Sequence, residues 1–334
     1  MKEVILLNLK KILHIHLLIL LTLVPSLVFA YSSHVIPGGE NVGISLNTKY
    51  VTVVGFYKVN ERYIGEESGF KIGDYIVKVN DKEVNNIDEM ISTIDQVKDE
   101  KNINVSILRN GKKEDVSLIL ETDDRGVYKT GLYVKDQING IGTLSYIDPN
   151  TLIYGALGHE IADKNTLQRV ELKDGKIFES NVTEVTPSRD GTPGEKQAKF
   201  NQEQVYGNIR KNEESGIFGT FSGKVSSNNL MEVSKPEDIK KGKASIRTVI
   251  DGSKIEDFDI EILEIDTSST TKNMLFQITD SRLLEKTGGI VAGMSGSPII
   301  QDGKLIGAVT HVVVNDTDKG YGIFITTMLE EGEK

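Results

Sequence analysis

The sequence predicts a mainly β protein: an apolar N-terminal segment, a small α+β domain, then a larger all-β domain. Short β-branched runs bounded by Gly, Asn and Asp recur from residue 42 to the end. Within those two domains, sustained helical periodicity is confined to 86–97, and the first thirty residues have a composition of their own. At 334 residues, with 38% hydrophobic and 26% charged residues, the chain is long enough for two globular domains of ordinary composition.

The first element is residues 1–30. Lys10 and Lys11 precede "ILHIHLLILLTLVPSLVFA" (12–30), which is apolar except for His14, His16, Thr22 and Ser26. A basic flank, an apolar stretch, a break at Pro25 and a small residue at Ala30 fit an export signal. The stretch is also nearly long enough to be an uncleaved membrane anchor. Either way the expectation is export across a membrane.

The small domain is expected over 35–122. "YVTVVGFYKV" (50–59), "DYIVKV" (74–79), "INVSIL" (103–108) and "DVSLIL" (115–120) read as strands. "NDK" (80–82) and "RNGK" (109–112) carry hairpin chemistry, the Asn-Gly pair most clearly. In "NIDEMISTIDQV" (86–97), Ile87, Met90, Ile91, Ile94 and Val97 fall at helical spacing, with Asn86 placed to cap. The stretch "SGFKIGDYIVKVNDKEVNNIDEM" (68–90) resembles the core of bacterial PDZ domains. Such domains bind an extended peptide as an added strand. The resemblance makes "GGENVGISL" (38–46) the carboxylate loop and binding strand, with Gly43, Ile44 and Leu46 lining the groove.

The larger domain is expected over 129–334. Its strand-like runs are 151–157, 244–250, 258–265, 274–279, 289–294, 305–314 and 321–326, which favour a sandwich or barrel. Residues 188–216 are polar and turn-rich and read as a long surface connection.

Composition limits the chemistry. There is no cysteine, so disulfides, thiolate metal sites and a cysteine nucleophile are excluded, and the net charge of -10 disfavours nucleic acid as a partner. No metal site or cofactor-binding loop is expected: two body histidines, His159 and His311, cannot make a spaced zinc site, and no glycine-rich stretch has a phosphate-loop follow-on.

Those histidines matter because of "GMSGSP" (293–298), a glycine-flanked serine turn between apolar runs. A serine on such a turn can expose its Oγ while nearby amides hold developing negative charge, and it needs a neighbouring base. His159 ends a strand-like run beside Gly158, well placed for a cleft, whereas His311 lies inside a strand pattern and is held in reserve. The acid is open among Asp163, Asp190, Asp251, Asp266 and Asp280, and Asp280 could equally cap the short helix "SRLLEK". The turn resembles the nucleophile turn of chymotrypsin-like proteases. That resemblance makes Ser295 the nucleophile in preference to Ser297, with the amides of Gly293 and Ser295 as oxyanion donors.

The N-terminal segment and PDZ-like stretch, with "GALGHEI", "GTPGEK", "SGIFG" and "TGGIVAGMSGSPIIQDGKLIGAVTHV", resemble the stage IV sporulation protein B family of serine peptidases. The resemblance covers the chain from about residue 35. It implies a PDZ domain joined to a chymotrypsin-like double β-barrel, with His159, Asp280 and Ser295 as the catalytic residues. It also implies secretion into the space between forespore and mother-cell membranes, self-cleavage, and cleavage of a membrane-bound regulator of an intramembrane metalloprotease that activates a late sigma factor. The rival from another class is a non-catalytic PDZ and β-barrel binding protein. An esterase is disfavoured because "PIIQDG" after Ser297 reads as strand and turn, not helix.

Overall fold

The computed structural model describes residues 31–100, 103–225 and 229–334; the N-terminal segment expected to direct export lies outside the described residues. The chain is mainly β, as expected. Its strands form a 13-stranded sheet that serves two bodies, a closed six-stranded barrel and one small ribbon.

Strand β1 (His34–Pro37) leads into β2 (Asn41–Phe56), a strand of 16 residues. Val42, Ile44 and Leu46 are buried in one hydrophobic cluster and Val51 and Val53 in another. The first half of β2 lies between β9 (Leu132–Ile147) and β11 (Leu172–Thr186), and the second half between β9 and β3 (Tyr75–Val79). The register against β9 jumps from Asn47 to Thr52, and this bulge is where the strand changes partners.

The small body is built on the second half of β2. Helix α1 (Ile64–Glu67), β3, β4 (Lys82–Glu83), α2 (Ile87–Val97), β5 (Ile103–Arg109) and β6 (Lys112–Leu118) follow in order. Asn86 caps α2 by accepting from the Glu89 amide at 2.8 Å, and Glu89 accepts in return from the Asn85 amide at 2.9 Å. Met90 and Ile94 bury the inner face of α2 against β3 and β5. Asn110 and Gly111 both take positive φ (51° and 73°), the two-residue turn that the Asn-Gly pair predicts. Asp74, 1% exposed, holds Arg109 through two bonds of 2.8 and 2.6 Å and accepts the Lys71 amide.

Two short strands, β7 (Glu121–Thr122) and β8 (Tyr128–Lys129), link to the larger body. There β9, β10 (Ile153–Ala156), β11, β12 (Glu195–Ile209), β13 (Lys211–Glu213) and β14 (Gly216–Thr220) join β2 around Leu46, Leu144, Tyr154, Ile177 and Ile217. Residues 35–47, assigned from sequence to the small domain, therefore belong to the strands of the larger body. A second correction concerns 188–216: 195–209 is the long strand β12 against β11, not a surface connection. Its outward residues are polar, which hid its period.

After β15 (Met231–Glu232) the chain closes the barrel with β16 (Gly242–Val249), β17 (Ile255–Ile265), β18 (Met274–Ile278), β19 (Pro298–Gln301), β20 (Lys304–Val312) and β21 (Lys319–Phe324). Phe258, Phe276, Met294 and Ile299 fill its interior. Helix α3 (Ser281–Thr287) precedes the serine turn, and α4 (Ile325–Glu333) ends the structure. Met328 and Leu329 of α4 pack with Tyr146 and Phe218 of the sheet and Leu305 and Ile323 of the barrel, tying the two together.

Replacing Arg109 with Ala strands a buried carboxylate, so denaturant titration is expected to show a loss of about 3–5 kcal/mol. An unchanged midpoint would mean that water satisfies Asp74.

Candidate active site

Residues 289–294 are not the strand their apolar pattern suggests, because their backbone bonds go to other segments. The Ile290 amide donates to Thr317 O at 2.7 Å and the Ala292 amide to Gly194 O at 2.8 Å. Met294 is fully buried in the barrel core and anchors the turn that follows. Gly293 and Gly296 take φ of 94° and 92°, a region only glycine enters freely. At Gly296 a Cβ would also lie 2.1 Å from Thr143 O and 2.4 Å from Leu157 N.

That close approach lets β9 hold the turn from below. The Thr143 amide donates to Ser295 O (2.9 Å), Thr143 Oγ1 to Gly293 O (2.8 Å) and Ser145 Oγ to Gly296 O (2.8 Å). The carbonyls are thus drawn towards β9. The amides of Gly293 and Ser295 have no acceptor among the described residues, which leaves two donors uncommitted beside Ser295. The structure also separates the two serines. Ser297 is fully buried, its backbone bonded to Met294 and Val309, whereas Ser295 is part-exposed and lines a cavity.

This cavity, about 470 Å³, also holds His159. Leu157 and Gly158, with φ of 72° and 68°, turn the chain at the end of β10 and deliver the imidazole there. Its Nδ1 lies 2.7 Å from Glu160 O; an Nδ1–H donated to that carbonyl leaves Nε2 free to take a proton. Burial lowers the His159 pKa, favouring the neutral base. The His311 ring lies against it at a tilt of 39°, centroids 4.9 Å apart, and desolvation followed by repulsion from His159 lowers the His311 pKa to about 4. Ser295 Oγ donates to Thr310 O at 2.8 Å and is not hydrogen-bonded to His159.

Asp280 is not brought to His159. It caps α3 by accepting from the Arg282 amide (2.9 Å), pairs with the Arg282 guanidinium (2.7 Å) and accepts the Asp259 amide (3.3 Å). The Arg282 guanidinium holds its carboxyl below the usual range. The capping alternative describes its geometry, and the Glu160 carbonyl orients the imidazole. The groove assignment of Gly43, Ile44 and Leu46 is also corrected: both edges of their strand are occupied, by β9 and by β11, so no peptide can add there. Gly43 is packed against Phe200, Leu46 is fully buried, and Ile44 lines the cavity beside His159 and Ser295.

One participant was missed from sequence. Lys196 of "GTPGEK" is 3% exposed, and its stem lies against Gly293. Its amide donates to Ala292 O at 2.9 Å, and its Nζ donates to Thr248 Oγ1 at 2.9 Å with no carboxylate partner among the described residues. Burial pushes its pKa down to about 7. With Gly194 and Ser188, whose Oγ donates to Ile290 O, this segment fixes the approach to the serine turn. The "GTPGEK" signal was visible, but not its contact with residues a hundred positions away.

Two domains joined through shared strands, with a serine turn and a histidine in one cleft, define a PDZ-containing chain with a hydrolase-type site. The chain belongs to the SpoIVB peptidase S55 family, whose model matches residues 126–329. It is accordingly a serine peptidase, and a PDZ domain model matches residues 42–120. No curated protein matches. Among solved structures it is similar to the active form of the Rv3671c protease from M. tuberculosis, with 15% identity over 58% of this chain and 74% of that one and a TM-score of 0.33. The inactive form of the same protease matches at 14% identity over 57% and 83%, with a TM-score of 0.30.

Two predictions follow from the geometry. Asp280→Asn keeps a capping side chain, so labelling by a serine-reactive fluorophosphonate is expected within about threefold of wild type; loss of a triad acid costs about ten-thousand-fold. For Lys196, the unfolded chain holds a proton that the folded chain has released between pH about 7 and the ordinary lysine value of 10.5. Folding stability should therefore rise across that window relative to Lys196→Met, by about 5 kcal/mol at most. A difference between the two proteins that is flat with pH would mean the amine folds charged.

Proposed function

We propose that this chain is an exported serine endopeptidase that acts by limited proteolysis in sporulation signalling. The observation that carries the reading is the convergence of Ser295, on a turn with two uncommitted amides, and His159, with a free Nε2, in one cavity. Catalysis begins when Ser295 Oγ leaves Thr310 O and turns to His159. Oγ attacks the scissile carbonyl as Nε2 takes its proton; the imidazolium, steadied by Glu160 O, returns that proton to the leaving amine. The developing oxyanion is held by the Gly293 and Ser295 amides, each donor supplying about 2.7–4 kcal/mol.

The cellular role comes from family membership and the N-terminal sequence. The proposed substrates are the chain itself, cut between the export segment and residue 35, and a membrane-bound regulator of an intramembrane metalloprotease whose release activates a late sigma factor. The proposed location is the space between forespore and mother-cell membranes.

Fluorophosphonate labelling of the purified chain tests the site. Wild type and Ser297→Ala are expected to label where folded, and Ser295→Ala and His159→Ala are not. A new N-terminus should form in wild type and not in Ser295→Ala. A folded wild type that neither labels nor self-cleaves would favour the non-catalytic binding protein.

A further inference from the structure

The loop that begins at His159 is held from two sides. "HEIADKNTLQRV" (159–170) is polar, and its Asp-Lys-Asn-Thr run favours a turn in which the aspartate accepts later amides. Asp163 accepts from the Asn165 and Thr166 amides at 2.9 and 3.0 Å, its own amide donates to Gln168 O at 3.0 Å, and its carbonyl accepts the Leu167 amide at 2.8 Å. The tip is thus closed on itself and has to be held from outside. Asn212 ties the stem to the peptidase body, accepting the Ile161 amide at 2.8 Å and donating to Ile161 O and Val170 O at 2.9 and 3.1 Å. Lys135 of β9 grips the tip: its Nζ donates to Asp163 Oδ2 at 3.1 Å and to Asn165 Oδ1 at 2.8 Å. Lys135 stands opposite Thr52, and Thr52 opposite Tyr75, so the PDZ-like body carries this ammonium. Tyr75 adds a bond from its hydroxyl to Gln168 Oε1 at 3.3 Å.

We infer that Lys135 and Asp163 are positioning residues for His159: their ion pair holds the loop so that the Glu160 carbonyl stays on the imidazole. The inference rests on the serine endopeptidase reading. Nδ1 of His159 is held by a main-chain carbonyl, 2.7 Å away, and such a carbonyl is only as fixed as the loop that carries it. The Asp163 carboxylate is 9% exposed and the Lys135 ammonium 40%, and both residues line the cavity of Ser295 and His159. A pair of that exposure is worth up to about fivefold in the population of the held loop. The same loop keeps water from the imidazole, and burial is what lowers the His159 pKa. The titratable groups facing His159 are Glu160 on its own loop, His311 on β20, and Lys135, Asp163 and Lys164 around the cavity, while Lys272 acts on His311. A catalytic base of the peptidase body is thereby set from the PDZ-like body.

Breaking the pair from either end tests it, with fluorophosphonate labelling rates of folded protein followed down the acid limb of the pH profile. Lys135→Met removes the ammonium, whereas Asp163→Asn keeps an oxygen for the turn amides but offers Lys135 no charge. A direct field would move the His159 midpoint in opposite directions, up on losing the cation and down on losing the carboxylate. Loss of positioning lets water reach the imidazole in both. The expected result is labelling about fivefold slower in both variants, with the acid midpoint moved up in each towards the ordinary imidazole value of about 6.5. Lys135→Arg can still pair with Asp163 and should behave as wild type. Midpoints that move apart would overturn the inference. So would slower labelling at an unmoved midpoint, which would make the pair a structural tie only, and so would unchanged rates in both variants. Failure of wild type to label would instead count against the peptidase reading itself.

Discussion

The site depends on three hydrogen bonds from one strand. Thr143 and Ser145 of β9 bind the carbonyls of Gly293, Ser295 and Gly296, and these bonds hold the serine turn in place. A peptide unit is planar, so turning its carbonyl one way turns its amide the other: Ala292 O, in the plane of the Gly293 amide, accepts from the Lys196 amide, and Met294 O, in the plane of the Ser295 amide, accepts from the Ser297 amide. The glycines serve the same end: the positive φ at Gly293 and Gly296 allows the turn, and the missing side chain at 296 allows the approach of β9. On the other side, Gly194, Lys196 and Ser188 hold 290–292, so both flanks of the serine are fixed by the sheet.

Two buried charges show different solutions to one problem. Asp74 is closed off in the small body by both arms of the Arg109 guanidinium and by the Lys71 amide. Lys196 has only a hydroxyl, so burial drives it towards the neutral amine. The first arrangement specifies a fold. The second places an amine of lowered pKa behind the serine turn.

Local signals were legible in the sequence. The Asn-Gly hairpin, the Asn86 cap, the helix over Ile87–Val97, the barrel strands and the glycine-flanked Ser295 each depend on neighbours a few residues away. Ser295 and His159 share a cavity, and what separates Ser295 from Ser297 is the burial of Ser297. Non-local facts were not legible. Asp280 fits a capping position and a catalytic one equally well on paper, and only its bonds to Arg282 and Asp259 separate them. Gly43, Ile44 and Leu46 carry a groove-strand pattern, but alternation does not reveal that both edges of a strand are occupied. β12 escaped notice because a polar outer face masks a period of two.

The sharing of β2 and β9 bears on how modular the molecule is. In a tethered architecture a recognition domain can be cut away and the enzyme left whole. Here, residues 41–47 are a central strand of the peptidase body, and the same unbroken strand becomes part of the PDZ-like body by Val51. Excising the PDZ-like region at its sequence boundaries would thus take out an interior strand and Ile44 from the cleft wall. Inactivity after such an excision would report a broken sheet rather than a lost peptide receptor. A surgical division would have to fall at the 48–51 bulge and rejoin the chain within β9, where the two bodies exchange partners.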